Sequence, residues 1–218
     1  MIADGGHGRF WSFYAAFYDA IWDSPVVDRI SAAVGTALEP MSSVLDMGCG
    51  TGLVARHLRS MGTRVIAVDA SSSMIDLCRR REAADVYLVG AQPPVEYHWD
   101  SAVLANVLHV CEDASALLAS VVRRTPGRIV VIWPLDMVGL TDLARWERSG
   151  QFRRLATLRS AALRVLVGVP GSILGVRRHS ADYVHRVVFD AAAASGRGLH
   201  ISEIPETGCS IAVIEART

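Results

Sequence analysis

The sequence predicts an α/β fold, a doubly wound seven-stranded sheet that is mostly parallel and ends in an antiparallel C-terminal hairpin strand. Three observations carry this. Short β-branched runs alternate with helical stretches between Ser43 and Trp133. Strands separated by single helices cannot pair as hairpins, so neighbours run parallel with right-handed crossovers. The last two runs, LHISEI (199–204) and CSIAVIEA (209–216), are joined only by Pro205-Glu206-Thr207-Gly208, a hairpin-length link that adds an antiparallel edge strand. At 218 residues the chain reads as one domain, 1–218.

The elements follow in order. Residues 1–40 read as an N-terminal helical lid. In RFWSFYAAFYDAIWD (9–23), Phe10, Phe13, Tyr14, Phe17, Tyr18 and Ile21 recur at helical spacing, with Trp11 and Trp22 flanking the stripe. Ordinary core packing is the first account of most of these rings, and the lid is the functional alternative. Pro25 opens a second helix to about Leu38, which Glu39-Pro40 closes. SVLDM (43–47) is a buried strand, LVARHLRSM (53–61) a helix and TRVIAVD (63–69) a second strand. SSSMIDLCRRRE makes a serine-capped helix, DVYLV (85–89) a third strand and SAVLAN (101–106) a fourth. DASALLASVVRR (113–124) is a helix capped by Asp113, and Thr125-Pro126-Gly127 turns into the strand RIVVIW (128–133). Residues 137–180 read as an arginine-rich helical insertion that caps a substrate pocket, and a helix spans about Ala181–Ser195.

Composition excludes several function classes. The 22 basic residues, all arginine, balance 22 acidic ones, so no global charge points to nucleic acid. The four cysteines, Cys49, Cys78, Cys111 and Cys209, lack metal-ligand or disulfide-framework spacing, and no metal is expected. No secretory signal precedes Asp23, and the run Val165–Val176, broken by Pro170, is too short to span a bilayer. A soluble cytoplasmic protein with a small-molecule partner is expected. Arginine outnumbers acid between Val121 and Arg186; solvated helix faces account for this, or a face that attracts an anionic substrate, an acidic carrier protein or a lipid headgroup.

VLDMGCGTG (44–52) is the most specific stretch. A strand runs into Gly48, Gly50 and Gly52 and a helix follows, so backbone can closely approach a ligand above the sheet. A dinucleotide fingerprint would place its third glycine at position 53, which is Leu53, and no Gly-Lys-Ser/Thr phosphate loop is present. Asp69 ends the second strand 21 residues after Gly48, where a carboxylate can accept from ribose hydroxyls. Together they outline an adenosine site.

LDMGCGTG with AVDASSSMI resembles the class I S-adenosylmethionine-dependent methyltransferases, especially small-molecule enzymes such as the quinone-biosynthesis and natural-product methyltransferases. The resemblance runs from about Tyr14 to Trp133. It implies a Rossmann-like fold and S-adenosylmethionine as cofactor. Gly48, Cys49 and Gly50 would line the methionine and ribose portion, with Asp46 supporting the loop. Asp69 would hold the ribose hydroxyls, Ala70 and Met74 would lie near the adenine, and Asn106 would approach the methionine end. After Gly90 many relatives have an acidic residue; here Ala91 and Gln92 stand there, and Gln92 offers a side-chain carbonyl. The lid would bring Tyr18 to the donor's methionine end, and Trp11, Tyr14 and Trp133 would face the acceptor.

Methyl transfer from a sulfonium is an in-line displacement, so alignment in a dry pocket supplies much of the rate and a base is optional. His109, in NVLHV, is the first choice of catalytic base; packing against the next helix is its other reading. The Asp/Asn-Pro-Pro-aromatic signature of amino-directed nucleic-acid methyltransferases is replaced by ANVLHV. The expected activity is methyl transfer to an oxygen or carbon of a small, largely apolar metabolite. A lipid-modifying peripheral membrane enzyme and a non-methylating, cyclase-like protein that keeps the cofactor as a ligand are the alternatives.

Overall fold

In the computed structural model, Ala15 and residues 25–38, 43–135 and 179–216 are described. The residues Trp11, Tyr14 and Tyr18, and the insertion at 137–180 except for its last two positions, lie outside them. Of the aromatic segment only Ala15 is described; it is helical and buried.

The elements are α1 (Pro25–Leu38), β1 (Ser43–Met47), α2 (Leu53–Ser60), β2 (Arg64–Asp69), α3 (Ser72–Arg80), β3 (Val86–Val89), β4 (Ser101–Ala105), α4 (Ala114–Arg124), β5 (Ile129–Pro134), α5 (Ala181–Ser195), β6 (Leu199–Ile204) and β7 (Cys209–Ile214). The seven strands form one sheet in the order β3-β2-β1-β4-β5-β7-β6. The pairs β1–β2, β1–β4, β2–β3 and β4–β5 are parallel. This is the expected Rossmann-like arrangement.

Both faces of the sheet are covered, and strand parity decides which residue meets which helix layer. Leu45, Ile66, Val68, Leu104, Val131 and Trp133 point to the layer of α4 and α5, against Leu118, Val121, Val184 and Val188. Their neighbours Val44, Val65, Ala67, Val103, Val130 and Ile132 point to the layer of α1, α2 and α3, against Ile30, Val34, Leu58 and Ile75. The helix starts use the residues expected of caps. Ser71 Oγ accepts from Met74 N at 3.4 Å, and Asp113 Oδ1 from Ala116 N at 2.8 Å. At α5, Ser180 Oγ accepts from Tyr183 N at 3.2 Å.

The hairpin differs in one respect from the sequence expectation. The antiparallel strand, β7, lies inside the sheet, paired with both β5 and β6, and β6 forms the edge. The residues explain the order. β7 is buried at every position but Val213, whereas His200, Ile201, Ser202 and Glu203 of β6 are exposed. The buried Arg197 staples the hairpin to the start of β5, donating to Thr125 O at 2.9 Å and to the carbonyls of Gly127 and Glu215.

Candidate functional site

The order of the strands reverses between β1 and β4, and crevices at such switch points lie outside the carboxyl ends of the strands. There Gly48 and Cys49, following β1, meet Ala105 and Asn106, ending β4. Together with Asp46, Ile30, Leu53 and Val54 they line a cavity of about 40 Å³. Ile30 is not singled out by the sequence motifs. Its only signal is the helical repeat Val26-Ile30-Val34, which sets one face of α1 against the core.

The glycine loop is built by close approach. Gly48 has φ 77°, and an added Cβ would stand 2.5 Å from Val107 Cγ2, so only glycine lets β1 turn against the loop after β4. Gly52 has φ 85°, and its added Cβ would meet Ala83 Cβ at 2.5 Å and Cys78 Sγ at 2.8 Å. The loop's amides are largely satisfied from within. Gly48 N and Cys49 N donate to Val68 O at 2.7 and 3.1 Å, Gly50 N to Asp69 Oδ2 at 2.9 Å and Gly52 N to Cys49 O at 3.0 Å. What the loop presents to the crevice is therefore bare backbone at short range, rather than a nest of spare donors.

Asp69 is thus a cross-brace. Its Oδ2 accepts from Gly50 and its Oδ1 from Ser71 N at 2.9 Å. Burial raises its pKa, and the two N–H bonds partly offset this. Each carboxylate oxygen keeps a further lone pair for a hydroxyl. Gly90 N donates to Asp69 O at 2.9 Å, so the ends of β2 and β3 are joined. Ala70, Ala91 and Gln92 are exposed beside this junction, whereas Met74 is buried beneath it at the first turn of α3.

Asp46 is buried, and its Oδ2 has no hydrogen-bond partner among the described residues. Burial, reinforced by the Asp69 charge and partly offset by the Ala55 amide, raises its carboxyl to about pKa 7. Asn106 adopts left-handed backbone with φ 56°, held by Asn106 N donating to Ile132 O at 2.9 Å, and its buried Oδ1 also lacks a partner. Both residues line the same cavity, and buried acceptors of this kind are ordinarily met by a hydrogen-bond donor. Cys49 is buried. Its hydrogen bond to Cys78 and its burial hold the thiol well above its ordinary range.

The other expected residues lie apart from this cavity. His109 is half-buried on the loop after β4 and does not line it. Trp133 is 1% exposed, with its ring edge-on to His185 at 6.2 Å. Its strand parity turns it into the α4–α5 layer. Among the described residues no group of three or more His, Cys, Asp or Glu could hold a metal ion, and no helix is long and apolar enough to cross a membrane.

Residues 45–131, from β1 to β5, match the family model of a methyltransferase domain. Over that span, less than half of its length, the chain is similar to this methyltransferase family, and its strand order is that of the Rossmann-like methyltransferase fold. The cofactor of this family is S-adenosylmethionine. Its sulfonium and ammonium charges suit the orphaned Asp46 and Asn106 acceptors, and its ribose suits Asp69. Among curated proteins, the chain is 36% identical over 114 residues to a malonyl-[acyl-carrier protein] O-methyltransferase of Serratia marcescens, covering 50% of this chain and 45% of the relative. It is 48% identical over 60 residues to an N-demethylindolmycin N-methyltransferase of Streptomyces griseus, covering 27% and 25% of the two chains. The aligned part thus spans about half or less of these relatives. Among solved structures, an O-methyltransferase family protein from Burkholderia thailandensis superposes with a TM-score of 0.62 at 13% identity, covering 99% of this chain and 64% of that one. At that identity the likeness is one of fold.

Proposed function

We propose that the protein transfers the methyl group of S-adenosylmethionine to an oxygen or carbon of a small, largely apolar acceptor. The observation that carries this reading is that Asp46 and Asn106, whose Oδ2 and Oδ1 are buried and unpartnered among the described residues, line one cavity at the switch point of the sheet. When bound, the sulfonium supplies an activated methyl group. The chain's own residues bind and orient. Asp46 and Asn106 accept from the ammonium, Asp69 accepts from the ribose hydroxyls, and Ala70, Met74, Ala91 and Gln92 border the adenine. Ile30, Leu53 and Val54 keep water from the crevice, which favours in-line displacement over hydration of the cation. His109 is the candidate base for an acidic acceptor, and the aromatic segment with Trp11, Tyr14 and Tyr18 the candidate lid.

The relatives widen the range of acceptors. One is named for transfer to oxygen on a carrier-bound malonyl group and one for transfer to nitrogen, and the family match spans β1 to β5 rather than the following insertion. A second reading is therefore a carboxylate oxygen on a carrier-bound acyl chain, supported by the Serratia relative and by the arginines between Val121 and Arg186. The test is calorimetric titration with S-adenosylmethionine and S-adenosylhomocysteine, followed by mass spectrometry of reactions with methyl-labelled donor and a metabolite extract or an acylated carrier. Saturable donor binding and a labelled product support the proposal. Donor binding without any labelled product would favour the non-methylating alternative, and no binding would end the reading.

A further inference from the structure

The loop after β4 carries Asn106 at one end and Cys111 at the other, and it is tied to an element far away in sequence. Within the loop, Val110 N and Cys111 N both donate to Val107 O, at 3.0 and 3.1 Å, which coils it around the buried Leu108. His179 reaches it from the residue before the α5 cap. Its backbone N donates to His109 O at 2.7 Å, and its ring Nε2 lies 3.0 Å from Cys111 O. A carbonyl can only accept, so this bond requires a proton on Nε2. The ring also stacks on Tyr183, with centroids 4.2 Å apart and planes 25° from parallel, which fixes its orientation.

We propose that His179 is a positioning residue. Its two bonds clamp the loop after β4 in the conformation that holds Asn106, a residue lining the donor cavity, in left-handed backbone. The inference rests on the donor-binding reading above. The role runs through Nε2–H and the backbone N–H of His179, both of which meet carbonyls of the loop.

The geometry dictates the test. The glutamine amide nitrogen stands the same number of bonds from Cα as His Nε2, whereas the asparagine amide is one bond shorter, so His179→Gln keeps the donor where Cys111 O needs it and His179→Asn does not. S-adenosylhomocysteine affinity is measured by calorimetry in the wild type and in His179→Gln, His179→Asn and His179→Ala, beside melting temperature and amide hydrogen exchange at Val110 and Cys111. Loss of the ring bond should weaken the affinity about fivefold to tenfold in the Asn and Ala variants and speed exchange at both amides by a similar factor, with Gln close to wild type. A packing role alone would lower the melting temperature of the Gln and Asn variants alike and leave the affinity unchanged, which overturns the proposal. If Ala fails to fold, the comparison of Gln with Asn decides. A wild type that does not bind S-adenosylhomocysteine overturns the donor-binding reading and this inference with it; a wild type that binds, with every variant equal to it, overturns the inference alone.

Discussion

Asp46→Asn probes the charge logic of the cavity, and its effect can be worked from the structure. The buried carboxyl is raised from the ordinary 3.8 to about 7. Keeping it ionised in the folded protein therefore costs about 4 kcal/mol relative to the unfolded chain. The direction is opposite to that of a salt-bridged carboxylate. Below about pH 4 the group is protonated in both states and stability is unaffected. As pH rises from about 4 to about 7 the unfolded chain ionises while the folded one does not, so stability falls; above about 7 both are ionised and the penalty is constant. Asparagine carries no such penalty. The two proteins should melt together near pH 4, and by about pH 8 the wild type should melt roughly 10 °C below the variant, an upper bound because the neighbourhood relaxes. Scanning calorimetry across that range reads it out; parallel melting curves would refute the reasoning. The same carboxylate should report the donor. A cation bound beside it favours ionisation, so affinity for S-adenosylmethionine should weaken by up to tenfold per pH unit below about 7, with proton release, and be flat above. Asp46→Asn should abolish that slope.

Three further outcomes follow from the same geometry. Gly48→Ala forces an alanine to φ 77° and drives its Cβ to 2.5 Å from Val107 Cγ2, so it should destabilise by about 2 kcal/mol or more and abolish donor binding; pairing it with Val107→Ala should recover part of the melting temperature but not wild-type affinity. Arg197→Met leaves the carbonyls of Thr125, Gly127 and Glu215 without their donor and should lower stability by about 3 kcal/mol in a denaturant titration, with donor affinity unchanged. Trp133→Phe removes core volume from the α4–α5 layer and should cost about 1–3 kcal/mol in the same titration while leaving the acceptor KM alone; a changed KM with unchanged stability would return Trp133 to the acceptor wall.

The fold was legible because the signals that set it are local. β-branched runs five or six residues long, caps at Ser71, Asp113 and Ser180 and a four-residue link at Pro205–Gly208 each specify an element without reference to the rest of the chain. Which strand takes the sheet edge is a comparison of two strands, and it was readable in principle. A continuously apolar CSIAVI needs cover on both sides, while LHISEI, with His200 and Glu203, tolerates water. Trp133 shows where local reading stops. In β5 every position from Ile129 to Trp133 is buried, so alternation in polarity vanishes and the sequence carries no mark of which face a residue takes. Only register against β4 and β7 decides it.

The site divides along the same line. A glycine that admits close approach and an aspartate at a strand end are properties of side chains, so Gly48 and Asp69 can be found in the sequence by spacing. That Asp69 braces Gly50 and Ser71, so that the loop's amides are satisfied before any ligand arrives, belongs to the backbone and has no residue code. His179 is the extreme case: both of its partners are main-chain carbonyls, which every residue possesses, and 70 residues separate it from His109. In the proposed clamp its identity matters because imidazole puts a donor at a particular reach. A sequence can therefore announce where such a protein grips its donor while staying silent on what holds the grip in shape, and substitutions that retune donor affinity without touching the glycine loop should concentrate at backbone-directed side chains of this kind.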